Sequence, residues 1–108
     1  MTLEQMYAAI GGDYKAVMER LPSADFVRRF ALKFLQDDSF PNLKKALEAQ
    51  AAHTLKGVCQ NLGFDALYAP ASALTEALRG GTLDGADTLF PPVEKEYQRV
   101  VAALKKLE

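Results

Sequence analysis

Apolar side chains in this sequence return every three or four positions, in stretches cut by glycine and proline. No run alternates strictly between apolar and polar residues. The 3.6-residue period belongs to helices buried along one face, and alternation belongs to half-buried strands. β-Branched residues are few, so the usual strand formers are scarce. The chain therefore reads as helices throughout.

Thr2, with Gln5 completing a capping box, starts a short helix that Gly11 and Gly12 stop. Asp13 caps a second short helix, Tyr14 to Leu21, ended by Pro22. Ser23 caps a third run in which Phe26, Phe30, Ala31 and Phe34 share a face, while Arg28, Arg29 and Lys33 lie elsewhere on the wheel. The polar turn Asp37 to Ser39 closes it. Pro41 suits the first turn of the next helix, which reads on to Leu62 and is ended by Gly63. Phe64, Leu67, Tyr68, Ala71, Leu74 and Leu78 line the helix after it, with Pro70 inside the run and Gly80-Gly81 as its stop. The last helix is expected to begin near Pro91-Pro92, because tandem prolines suit a first turn better than an interior. Val93, Tyr97, Val100, Val101, Leu104 and Leu107 form its stripe, and Ala86 to Phe90 reads as a short turn before it. Long amphipathic segments at 23–36, 41–62, 64–79 and 91–107 predict an all-α fold. The expected architecture is an antiparallel four-helix bundle with one or two short additional N-terminal helices over one end or side.

At 108 residues the chain is expected to form a single domain able to bury a useful core. No apolar run approaches the ~20 residues that span a bilayer. The N-terminal stretch MTLEQMYAAIGGDYK lacks a basic, then apolar, signal pattern, so a cytoplasmic location is expected. A net charge of −1 argues against general nucleic-acid binding. The lone Cys59 excludes an internal disulfide and reads as a small buried hydrophobe. One histidine and one cysteine cannot build a usual zinc site, so no metal site is expected.

That histidine is His53, in the stretch AAHTLKGVCQNLG from Ala51 to Gly63. Stepping about 100° per residue from Leu43 along 41–62, Leu47, Ala51, Leu55, Val58 and Leu62 fall within an arc of about 40–120°. His53 falls near 280°, almost opposite, among Ala46, Ala49, Gly57 and Gln60, with Lys56 close beside it at about 220°. The imidazole is thus expected to face out, above a low surface that a convex partner can approach. Gly57 costs roughly 1 kcal/mol against alanine inside a helix, which calls for a compensating reason. Lys44 and Glu48 fall inside the apolar arc. Either the helix protrudes at its start, or it breaks between Glu48 and Ala51.

The stretch resembles the central motif of histidine-containing phosphotransfer (HPt) domains. In those domains a histidine is followed three residues on by a lysine, then a glycine, with a Leu-Gly pair ending the helix. Here these are His53, Lys56, Gly57 and Leu62-Gly63. The stretch GGDYKAVMERLPSADFVRRFALKFLQDDSFPNLKKAL is similar to the N-terminal half of free-standing members. FDALYAPASALTEALRGG is similar to the helix packed beside the histidine. One departure is the short link of Ala49 to Ala52 between Glu48 and His53, where relatives carry several more residues.

The resemblance implies a phosphoryl carrier without kinase activity of its own. His53 would accept a phosphoryl group from a receiver-domain aspartate and pass it to another in a multistep His–Asp relay. Neutral imidazole is a competent nucleophile near neutral pH, and such transfer needs mainly in-line positioning and charge stabilisation. Lys56 would offset phosphoryl charge, and Gly57 and Gln60 would border the site. Thr75 is expected to hydrogen-bond the imidazole, and Arg79 to assist with phosphate or partner charge. The implied partners are response-regulator receiver domains and a hybrid histidine kinase, with Mg²⁺ supplied by the receiver and no cofactor of the chain's own. A monomer is expected, since no long heptad pattern is present. Two other readings share these residues: a helical adaptor that binds receivers without carrying phosphate, and a module of a larger hybrid kinase. The opening methionine with its capping sequence and the KKLE ending favour a free-standing protein.

Overall fold

A computed structural model describes residues 1–80 and 85–107. The described residues form seven α-helices and no strand: α1 (Leu3–Ala9), α2 (Tyr14–Arg20), α3 (Ala24–Lys33), α4 (Ser39–Lys45), α5 (Ala49–Leu62), α6 (Asp65–Arg79) and α7 (Ala86–Lys105). A single 3₁₀ turn, Phe34–Gln36, extends α3. The fold is the expected all-α helical bundle. α6 packs between α5 and α7, and α4 lies on α5. None of the described helices is long and apolar enough to cross a membrane. Caps fall where the sequence puts them: Thr2 and Gln5 form the capping box, and Asp13 and Ser23 accept from Ala16 N and Phe26 N. Gly63 ends α5 at φ 71°, and Phe64 N donates back to Cys59 O at 2.9 Å, so α5 and α6 form a tight hairpin. The Gly81 part of the predicted α6 stop lies outside the described residues.

The expected continuous helix over 41–62 is two helices. Ala46 and Glu48 are extended (φ −146° and −119°), and Glu48 N donates to Ala46 O across Leu47 at 2.8 Å. The break removes the conflict on the wheel. Lys44 turns to Glu94 of α7 at 2.8 Å, and Glu48 faces solvent as the residue before α5. It also shifts the phase of the histidine helix. Its core residues are Ala52, Leu55, Cys59 and Leu62, whereas Ala51 and Val58 are only half-buried.

The last helix begins at Ala86, not at the prolines, so 86–90 is helical and Pro91-Pro92 lie inside α7. Two backbone donors are missing there, and the carbonyls of Asp87 and Thr88 lose their usual partners. Packing offsets the loss: Ala86 is buried, and Phe90 stacks on Phe40 with ring centroids 5.8 Å apart. Pro70 likewise sits within α6, which runs unbroken from Asp65 to Arg79.

On α3 the buried residues are Val27 and Ala31, followed by Phe34 in the 3₁₀ turn. Phe30, expected in the core, is 40 % exposed, packed edge-on against Phe26 at 4.4 Å. The two N-terminal helices close over the C-terminal end of α5. The buried Tyr7 hydroxyl donates to Leu62 O, Asp13 N to Gly63 O at 2.9 Å, and Arg20 Nη2 to Gln60 O at 2.9 Å. Leu62 O and Gly63 O are carbonyls that a helix end leaves without partners of its own, while Gln60 O also accepts from Gly63 N. Gly12 is required at this junction, because a Cβ there would stand 2.7 Å from Gly63 O.

Candidate functional site

His53 lies in the second turn of α5 and is exposed, opposite the buried stripe of Ala52, Leu55, Cys59 and Leu62. The α5–α6 hairpin brings the C-terminal end of α6 alongside it. There Arg79 Nη2 lies 3.4 Å from His53 Nδ1. Arg79 Nη1 lies 3.5 Å from Glu76 Oε1, one turn earlier on α6. A guanidinium only donates, so the pairing with His53 uses the Nδ1 lone pair and puts the ring proton on Nε2. Nε2 has no hydrogen-bond partner among the described residues.

Lys56 follows one turn along α5, half-buried, its Nζ 6.0 Å from the centroid of the Tyr68 ring. Its ammonium thus reaches across to a ring of α6. Gly57 has open space above it: a Cβ built there meets nothing within 4 Å. No packing within the described residues explains the glycine, and the clearance lies beside His53. Gln60 is exposed one turn further on. Ala46, expected beside the imidazole, belongs to the end of α4 and not to the α5 face.

Thr75 departs from the expectation. It is fully buried, and its hydroxyl donates to Ala71 O at 2.7 Å, not to the imidazole. A threonine within a helix commonly bonds back to its own backbone in this way, and its short side chain has no reach to spare. Arg79, not Thr75, is the residue of α6 that meets the imidazole. Glu76 was missed, although its three-residue spacing to Arg79 is a readable signal for a surface pair. Cys59 is buried in the core as expected, its thiol pushed up to about 12 by burial, with a smaller contribution from the Asp37 charge. Such a thiol is inert near neutral pH.

An exposed imidazole, clear space on one side and two cations nearby can accept and hold an anionic group. In comparisons with known proteins, a family model described as the Hpt domain matches residues 33–104. No match was found among curated proteins or among solved structures.

Proposed function

The chain belongs to the Hpt domain family, and on that premise we propose that it carries a phosphoryl group on His53 between receiver-domain aspartates. Hpt domains are histidine phosphotransfer modules of phosphorelays, and they are carriers and not kinases. The finer reading is a shuttle in a multistep relay. It takes phosphoryl from a phospho-aspartate on one receiver and delivers it to another, with a hybrid histidine kinase upstream. The observation that supports it best is the outward imidazole above the open space at Gly57.

In this reading the ring proton first moves to Nδ1, and Nε2 then attacks the phosphorus in line while the aspartyl oxygen leaves. Lys56 offsets charge on the phosphoryl oxygens, and Gly57 and Gln60 form the floor on which the receiver sits. The receiver supplies Mg²⁺ and its own acidic pocket, so the carrier contributes position and charge. We place the protein in the cytoplasm as a monomer, where the exposed face of α5 is open to successive partners.

Incubation with a phosphorylated receiver tests this. Wild type should gain acid-labile, alkali-stable phosphate, and His53→Gln should gain none. Label retained on the variant would overturn the assignment. Receiver binding with no transfer to wild type would replace the carrier by an adaptor.

A further inference from the structure

We propose that Arg79 is a positioning residue that sets the lifetime of phosphorylated His53 by occupying Nδ1; this rests on the carrier reading above. Arg79 Nη2 is 3.4 Å from that nitrogen, and a guanidinium has donors only. The contact therefore forms with a ring whose Nδ1 keeps its lone pair. Once Nε2 bears the phosphoryl group, Nδ1 is the one ring nitrogen left to take a proton. Arg79 and that proton compete for the same lone pair.

The competition matters to the chemistry of release. When water or a carboxylate attacks phosphorus, a P–O bond forms, the P–N bond breaks, and its electron pair returns to Nε2. With a proton on Nδ1 the departing ring is a neutral imidazole. Without that proton it would leave as an imidazolate, a much poorer leaving group. Attacking water gives up its proton to solvent, and the products are inorganic phosphate and neutral His53. By holding Nδ1, Arg79 keeps the ring in the form that retains its phosphoryl group.

Glu76 holds the other arm of the same guanidinium. Its Oε1 lies 3.5 Å from Arg79 Nη1 on the same helix. When the guanidinium leaves Nδ1, a proton takes its place and release is allowed. In the resting ring the same contact leaves the proton on Nε2. Acceptance then starts with Arg79 turning away and the proton moving to Nδ1, which exposes the Nε2 lone pair.

The test uses phosphoramidate as a small phosphoryl donor, so no receiver is needed. Wild type, Arg79→Ala and Arg79→Lys are labelled, freed from donor and followed near neutral pH by phosphorus NMR, with labelled wild type in urea as the unfolded reference. Arg79→Ala should lose phosphate about fivefold faster than wild type, equivalent to roughly 1 kcal/mol, and approach the unfolded reference. Arg79→Lys, which keeps a donor, should decay more slowly than Arg79→Ala. Thermal midpoints should stay together, because the Arg79 side chain is 52 % exposed. Equal decay of Arg79→Ala and wild type, or of Arg79→Lys and Arg79→Ala, overturns the proposal. Failure of wild type to take label, or equal labelling of His53→Gln, would count against the carrier reading instead.

Discussion

Arg79 and His53 stand 26 residues apart in the chain, yet Arg79 Nη2 lies 3.4 Å from His53 Nδ1. The Gly63 turn accounts for the meeting. It folds α6 back along α5, so the last turn of α6 returns to the second turn of α5. The imidazole is thereby held by one nitrogen from a neighbouring helix, and its other nitrogen is left toward the approach side.

Lys56 is the cation on the histidine's own helix. Replacing it by alanine should slow transfer from a phospho-receiver by about tenfold, the loss of roughly 1.4 kcal/mol of charge stabilisation. Stability should move by no more than about 0.5 kcal/mol, as for most surface substitutions. Rapid-quench transfer rates beside urea unfolding curves would check this. An unchanged rate would remove Lys56 from the site.

Gly57 separates stability from docking. Its Cβ position is empty to 4 Å, so Gly57→Ala should stabilise the protein by about 1 kcal/mol through helix propensity alone. Gly57→Gln fills the approach side. It should cut transfer from a receiver at least about tenfold, more than 1.4 kcal/mol of lost approach, while labelling by phosphoramidate is retained. A receiver that tolerates Gly57→Gln would show that the partner does not cross this face.

The sequence makes the helices, their caps, the Gly63 turn and the outward imidazole legible, because period and turn chemistry are local. It does not reveal where packing overrides them. The break at Ala46–Glu48 leaves Lys44 facing Glu94 in a distant helix, and beyond it the fully buried stripe includes Ala52 and Cys59, with Ala51 and Val58 half-buried against the core. The early start of α7 depends on burial of Ala86 and on Phe90 stacking against Phe40. Phe30 has the spacing of a core residue, but it is left 40 % exposed among the described residues. At the site, His53, Lys56 and Gly57 are readable as a motif. Arg79 beside Nδ1 and Thr75 turned to Ala71 follow from the α6 geometry.

The prolines of α7 give a test of the helix start. Pro91 and Pro92 are exposed and lie inside the helix, so Pro91→Ala restores a backbone donor and forfeits no core packing. An interior proline costs about 3 kcal/mol, part of which is returned by its stiffening of the unfolded chain. Pro91→Ala should therefore raise stability by roughly 1–2 kcal/mol. A destabilised variant in urea titration would instead favour a helix beginning at the prolines.

One buried hydroxyl is among the contacts by which the N-terminal helices should matter to the histidine helix. Tyr7 is fully buried and donates to Leu62 O in the last turn of α5. Tyr7→Phe keeps the ring and its packing but leaves that carbonyl without its donor, which should cost about 1–3 kcal/mol. Hydrogen exchange should then quicken toward the C-terminal end of α5. Unchanged protection there would mean that the Tyr7 hydroxyl does not brace it and that Asp13 N and Arg20 suffice.

Cys59 predicts the alkaline limit of the fold. Burial, and secondarily the Asp37 charge, pushes its thiol from 9.0 to about 12. Above pH 9 the unfolded thiol loses its proton while the folded one keeps it, so the unfolded state binds fewer protons and stability falls as pH rises. The contribution is fully present below the unfolded value and is lost between it and the folded one. Between about pH 8 and about pH 10 the loss from this group should be roughly 1 kcal/mol. Tyr7 is also raised by burial but adds to the fall only above its ordinary value of 10.0. Urea midpoints across that window should therefore drop more for wild type than for Cys59→Ala, even though the variant starts lower for its small cavity. Parallel pH profiles would show that the thiol meets solvent in the folded protein.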